Sequence, residues 1–400
     1  MNILKVWDAE YPWDVRAEKV MRSLTAGGHD VHLVARNREG DPLVEELEEA
    51  TVHRLRPWSM LGETLDAASQ FPAFMNPRWL AHMVQTGRRT GAEVVIVRDL
   101  PLAPTAVGAG RILGAPVILD MAENYPAMIR DIWIGGRQGR LDFLLRNPSF
   151  VAAVEKWSIH AVDHTVVVVE ESGERLVGLG VDPERVSVVC NTPWPDRIPP
   201  VEELNPPPDD GALRLVYLGL LETPRGLDAV LEGMANLRSG GLALHLDIIG
   251  GGRDEAHFQS EAERLGLSEE VAFHGVLPYE EALAVFRRSH VGLVPHFAVE
   301  SWNTTIPNKL FDYMSHRLPV ITSDAKPAAR IVREEGSGVV FVSDDATDFA
   351  RAVRELVDAD RRGELGENGR AAVERRYNWA FDEEQLLETV DLVHARFDRD

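Results

Sequence analysis

The sequence predicts an α/β protein of two doubly wound, parallel-sheet domains that face a cleft. Three observations carry this expectation. Apolar runs of strand length alternate with amphipathic stretches of helix length, the pattern of parallel sheets with crossover helices. The 400 residues exceed one ordinary core and suit two domains of roughly 200 each. A proline-rich stretch breaks the pattern at mid-chain, and a fresh strand opens after it.

In the first half the strand-like runs are 3–7, 31–35, 52–55, 94–97, 117–120, 165–169 and 186–190. In the second half they are 213–218, 244–249, 271–274, 291–295, 320–322 and 339–342. Helical periodicity fills the intervals, as over 16–26, 227–237, 280–288 and 349–358. Between Asn191 and Asp210 stand prolines 193, 195, 199, 200, 206, 207 and 208 with no periodicity, the composition of a semi-rigid connector with few contacts. The expected organisation is therefore a first domain over 1–192, a linker over 193–212, a second domain over 213–378 and a terminal helix over 379–400. That helix is long enough to return to the first domain. Ligands of such sheets bind beyond the carboxyl ends of the strands.

Composition narrows the functions. With 44% apolar and 26% charged residues the chain is globular. A net charge of −22 opposes a polyanionic partner, so nucleic acid is excluded as an expectation. No apolar run approaches the roughly 20 residues of a spanning helix. The start, Met1 to Trp7, reads as a strand rather than a signal peptide, and the single Cys190 fits a reducing compartment. The expected location is cytoplasmic. The thirteen histidines fall in no His-Glu-x-x-His pair, and no metal or cofactor is expected. No Gly-x-Ser-x-Gly elbow is present, which argues against a hydrolase triad.

Three motifs suggest chemistry. Strand 244–249 ends in Gly250-Gly251-Gly252, where backbone can approach a ligand or simply turn tightly. Thr304-Thr305-Ile306-Pro307-Asn308-Lys309 leads into Leu310-Phe311-Asp312-Tyr313-Met314; Pro307 suits a first helical turn that Thr304 or Thr305 would cap. Lys309 at such a helix start is poorly placed unless it answers an anion, for which a diphosphate is the candidate. Its plain alternative is a solvated pair with Asp312. The first turn of the second half, Gly219 to Gly226, carries Arg225, which either forks onto phosphate oxygens or is an ordinary surface arginine.

Together with Tyr11-Pro12-Trp13-Asp14-Val15-Arg16, Asp120-Met121-Ala122-Glu123-Asn124, Asn191-Thr192-Pro193 and Phe273-His274-Gly275, these stretches resemble glycosyltransferase family 4. The resemblance runs over nearly the whole chain. It implies the GT-B fold of two Rossmann-like domains and retaining transfer from a nucleotide-sugar, with the nucleotide-sugar as substrate. Asp312 then matches the second acid of the family's paired-glutamate signature, which holds the donor ribose. Thr305 to Lys309, with Asn308, match the loop that receives diphosphate and sugar. Arg225 matches the basic residue that contacts the diphosphate, Gly219 the opening turn, Gly250 to Gly252 the glycine turn, and His274 to Val276 the border of the base.

Three positions depart from the family pattern. Thr304 stands where the first acid belongs, Leu220 where an arginine belongs, and Ala122 where a histidine belongs. Glu300 is the candidate substitute for the missing carboxylate, and Lys309 for the missing charge at Leu220. The expected catalytic set is Arg225, Lys309, Glu123 and Glu300. On the acceptor side Arg16, Asp14, Asp120 and Asn124 are candidates, with a helix cap for Asp14 and a surface charge for Arg16 as the plain alternatives. The acceptor implied is a glycan or lipid-linked sugar of cell-surface polysaccharide synthesis. Residues 126–157 interleave basic and aromatic side chains, which suits either helices covering the sheet or peripheral contact with an anionic membrane. A nucleotide-sugar 2-epimerase and a non-catalytic GT-B partner subunit stay open beside the transferase.

Overall fold

The computed structural model describes residues 1–12, 14–57, 73–134, 147–204 and 210–398. They form two compact units, one of Met1–Asn191 with Asp382–Asp400 and one of Thr192–Phe381. Each is built on its own sheet.

The first sheet contains β1 (Asn2–Val6), β2 (Asp30–Ala35), β3 (Val44–Glu46), β4 (Thr51–Arg54), β5 (Val94–Arg98), β6 (Val117–Met121), β7 (His164–Val167) and β8 (Val186–Val188). Their order is β3-β4-β2-β1-β5-β6-β7-β8. All neighbours are parallel except β3, which pairs antiparallel with β4. The second sheet contains β9 (Leu213–Leu218), β10 (Leu244–Ile249), β11 (Val271–Phe273), β12 (Val291–Val294), β13 (Val320–Ser323) and β14 (Gly338–Phe341), in the order β11-β10-β9-β12-β13-β14, all parallel. Both sheets reverse direction beside their first strand, between β1 and β5 and between β9 and β12. Such a switch point opens a crevice at the carboxyl ends of the two strands, because the following loops diverge to opposite faces.

The thirteen expected strands are all present, with ends at most two residues from those expected. β3 was not expected: its Val-Glu-Glu has no apolar alternation, and an edge strand needs none because one side meets water. Central strands read as continuous apolar runs because both faces are covered; β5, Val-Val-Ile-Val-Arg, is buried throughout. Local chemistry sets helix ends as the sequence suggests. Asn76 accepts from the amides of Arg78 and Trp79 to start helix Pro77–Thr90, and Gly91 ends it in the left-handed conformation.

The proline-rich stretch belongs to the second unit and makes specific contacts there. The Trp379 amide donates to Pro193 O at 2.8 Å, Trp194 lies against the Trp379 ring at 5.7 Å, and Arg370 donates to Pro199 O at 2.7 Å. Residues 205–209 lie outside the described set. Helix Trp379–Phe397 ends in the first unit: Asp382 accepts from the Cys190 amide at 2.7 Å, and Thr389 donates to Ser187 Oγ at 3.0 Å.

Across 126–157, helices Tyr125–Ile134 and Pro148–Ala161 bury Ile129 and Val151 in the first unit's core, while Phe150 and Trp157 stay exposed. Residues 135–146, with much of the basic and aromatic character read there, lie outside the described set. No helix among the described residues is long and apolar enough to cross a membrane.

Candidate functional site

The second unit's switch point is shaped first by glycine. The turn after β9 lies directly on the turn after β10: Gly219 N donates to Ile249 O at 2.9 Å and Leu221 N to Gly251 O at 3.0 Å. A β-carbon on Gly250 would stand 2.0 Å from Gly219 O, and one on Gly252 would stand 2.4 Å from Leu221 O. Backbone contact between two turns therefore accounts for both glycines, whereas Gly251 is in ordinary contact with its neighbours. Gly250→Ala is expected to destabilise the chain by about 1–3 kcal/mol, because the obstructing atom is backbone. Gly363→Ala, in open space inside helix Ala359–Arg375, should instead stabilise by up to about 1 kcal/mol. Urea unfolding of the two variants compares them; equal midpoints would contradict this reading of Gly250.

Around these turns three nitrogenous side chains converge. Lys309 opens helix Lys309–Ser315, is only 6% exposed, and its Nζ has no hydrogen-bond partner among the described residues. Nζ lies 3.9 Å from the centre of the Tyr217 ring, and a β-carbon on Gly219 would come within 2.9 Å of it. The amine thus reaches the turn that holds Leu220. Arg225 ends the short helical turn Thr223–Arg225, with its guanidinium 4.5 Å from the Trp302 ring centre and Nη1 3.0 Å from Nε2 of His296. Burial and the nearby Arg225 charge hold the Lys309 amine well below its ordinary range. Burial, Lys309 and Arg225 do the same to His296. A buried amine and a guanidinium with no carboxylate between them among the described residues form a site that lacks its counter-charge there.

Other expected residues take different places. Thr304 does not cap the helix: its hydroxyl turns back to Glu300 O at 3.1 Å and Ser301 O at 3.3 Å. The helix starts at Lys309, with Asn308 in the cap position making no side-chain cap bond, so Pro307 stands before it. Thr305 is buried, while Asn308 and Glu300 are exposed. Asp312 is half-buried; burial and the Asp312 charge together raise the Tyr279 hydroxyl. His274 is tied by Nε2 to Asp247 at 2.6 Å, and Arg288 holds the same carboxylate oxygen at 2.8 Å. Val276 is 83% exposed beside it.

In the first unit the acceptor-side candidates are engaged by the protein's own groups, and Asp14 takes its plain alternative as a helix cap. Arg16 is 2% exposed; Nε and Nη2 donate to Asp120 Oδ1 at 3.0 and 2.7 Å, and Nη1 to Val189 O at 3.0 Å. With these donors used internally, Arg16 is a structural tie and not a surface charge. Asp120 is buried with it and also faces Lys5 Nζ at 3.4 Å and Arg98 Nη1 at 3.8 Å. Asp14 caps helix Val15–Ala26 through the Ala17 amide and holds Arg98 at 3.2 Å. Asn124 is buried and accepts from the Ala127 amide at the start of helix Tyr125–Ile134. Glu123 is half-exposed. Trp13 lies outside the described set.

The sequence reading missed Lys5, Arg98, His296 and Trp302. His296 had a usable signal, since it stands two residues past β12 at the carboxyl end of a strand. Lys5 and Arg98 sit inside apolar strands, where a charge in a buried run signals a paired partner. Among the described residues no group of side chains could hold a metal ion.

This pair of switch-point sheets is the GT-B glycosyltransferase fold. Sucrose-phosphate synthase from Thermosynechococcus elongatus aligns over 100% of both chains, with a TM-score of 0.72 at 18% identity. Anabaena HepE, solved in complex with UDP and glucose, aligns over 98% of this chain and 99% of its own, with a TM-score of 0.69 at 14% identity.

Residues 14–192 match the family described as Glycosyl transferase 4-like domain, and residues 212–359 match Glycosyl transferases group 1. The chain belongs to the group 1, family-4-like glycosyltransferases. A D-inositol 3-phosphate glycosyltransferase of Catenulispora acidiphila is 26% identical over 240 residues, 56% of this chain and 54% of that relative. This chain thus matches about half the length of that relative.

Proposed function

We propose that the chain transfers a sugar from a nucleoside-diphosphate donor to a glycan or lipid-linked acceptor, with retention and without a metal. The donor's diphosphate belongs at the second unit's switch point. The observation that carries this is the Lys309 amine, buried with no hydrogen-bond partner among the described residues and beside the Arg225 guanidinium. A diphosphate supplies the missing counter-charge, and the same two groups stabilise the leaving nucleoside diphosphate as the glycosidic bond breaks. Asp312, half-buried one helical turn from Lys309, is the group for the ribose hydroxyls. Glu300 is the carboxylate proposed for the transferred sugar, and Glu123 the one proposed on the acceptor side. Membership of a glycosyltransferase family supports the reaction type, and assembly of cell-surface polysaccharide is the setting proposed.

A panel of UDP-, GDP-, ADP- and dTDP-sugars tests the proposal by thermal shift, since a ligand of the native state raises its melting point. The binding donor should then release its nucleoside diphosphate faster when acceptor glycan is added. Conversion of the donor to its 2-epimer with no acceptor would replace this function by epimerisation.

The depressed Lys309 amine adds a pH signature. In the free site burial and the Arg225 charge favour its neutral form; a diphosphate favours the protonated one. Binding therefore takes up a proton between the free and bound values, and affinity tightens as pH falls through that window. Above the bound value the contribution is gone. Calorimetry in two buffers of different ionisation enthalpy should show the uptake, and Lys309→Met should lose it. An unchanged uptake in the variant would assign the proton elsewhere.

A further inference from the structure

His296 lies among the cations of the switch point yet carries no charge of its own. It is 1% exposed, and its carbonyl is fixed by Ser323 Oγ at 2.5 Å. Its Nε2 is 3.0 Å from Arg225 Nη1. A guanidinium can only donate, so Nε2 accepts and the neutral ring carries its proton on Nδ1. Burial beside Lys309 and Arg225 keeps the ring neutral. The Trp302 ring meets both groups, the imidazole at 4.3 Å between centroids and the guanidinium at 4.5 Å.

We propose that His296 is the positioning residue of Arg225: its Nε2, with the face of Trp302, fixes the direction in which the guanidinium presents its remaining N–H groups to the donor diphosphate. The physical reason lies in the kind of acceptor. A carboxylate would orient Arg225 equally well but would cancel the charge the ligand needs. A neutral imidazole supplies a lone pair and an indole supplies a polarised face, so both orient the group and leave its charge whole. Arg225 stands on a turn of only three residues and is half-exposed, so its own segment gives the side chain little restraint. Among the described residues it has no carboxylate partner. The inference rests on the donor-site reading above.

The test uses the full chain with two probes, UDP and inorganic pyrophosphate, followed by calorimetry. His296→Leu removes the acceptor. His296→Asn keeps a polar group only near the Nδ1 position, and His296→Gln places an acceptor near that of Nε2. Leu and Asn should weaken both probes by roughly tenfold or more, as loss of a hydrogen bond to a charged group does. Gln should stay within about threefold of the parent, a rescue that a purely structural role would not give.

Nitrogen-15 spectra of histidine-labelled parent protein, with no ligand, should show His296 protonated on Nδ1. This second readout needs no variant to fold. A proton on Nε2, or equal binding by the Leu and Gln variants, overturns the proposal. If Arg225→Ala binds pyrophosphate as the parent does, the donor-site reading itself fails. If Arg225→Ala weakens it and His296→Leu does not, only the role of His296 falls.

Discussion

Lys309→Met is expected to lower kcat/KM for the donor by about 100-fold or more while leaving the protein at least as stable as the parent. The two effects have one cause. In the free protein the Lys309 amine is buried with no hydrogen-bond partner among the described residues, and Arg225 stands beside it. Methionine keeps the length and apolar stem and removes an unsatisfied polar group, whose burial costs about 1–3 kcal/mol. The same change removes a charge that the leaving diphosphate would meet. Arg225→Ala should lower turnover to a similar degree without the gain in stability, because Arg225 is half-exposed and already has an acceptor in His296. The double variant should lose less than the product of the two, since both groups act on one leaving group. Steady-state kinetics and urea unfolding decide it. A Lys309→Met protein that is less stable yet fully active would show the amine to be a structural element.

Asp120→Ala is expected to destabilise the first unit by about 3–5 kcal/mol, the largest stability effect of any single change proposed for this chain. Asp120 is the shared counter-charge of Arg16, Lys5 and Arg98 at the carboxyl ends of β1, β5 and β6. Burial, the largest single influence, pushes its pKa up. The combined pull of Arg16, Lys5 and Arg98 outweighs it and holds the carboxyl well below the ordinary range. Removing it leaves three cations buried without their common partner. Lys5 can respond by losing its proton, since burial already lowers its pKa; the arginines cannot. The linked pH effect has a definite sign. A depressed carboxylate contributes its stability above its unfolded value and loses it as pH falls toward the folded one. The contribution should therefore be flat at neutral pH and fade only in acid below the ordinary carboxylate range. Urea unfolding at pH 7 measures the variant, and a loss under about 1 kcal/mol would mean that the network is solvated.

Much of the architecture was legible because parallel sheets write their strands as uninterrupted apolar runs. β9 and β10 have the ends expected, Leu213–Leu218 and Leu244–Ile249, each closed at its carboxyl end by a glycine, Gly219 and Gly250. β3 was illegible: its Val-Glu-Glu pairs through backbone atoms, which carry no side-chain signature. The glycine run after β10 reads from the sequence as a ligand approach or a tight turn, but the contact that demands it does not show there. The atom that forbids a β-carbon at Gly250 belongs to Gly219, and only the register of β9 with β10 brings it there.

The sequence by itself determined two α/β units, membership of a glycosyltransferase family, and Arg225 and Lys309 as basic residues near strand ends. Only the tertiary structure decided what each charge does. In the sequence Arg16 and Asp120 are acceptor-side candidates, and the fold closes them on each other across 104 positions. His296 had been assigned nothing, and the fold sets it against Arg225 across 71 positions. A charge acts according to its partners and its access to water, and both are fixed by strand order, which no local stretch of sequence records.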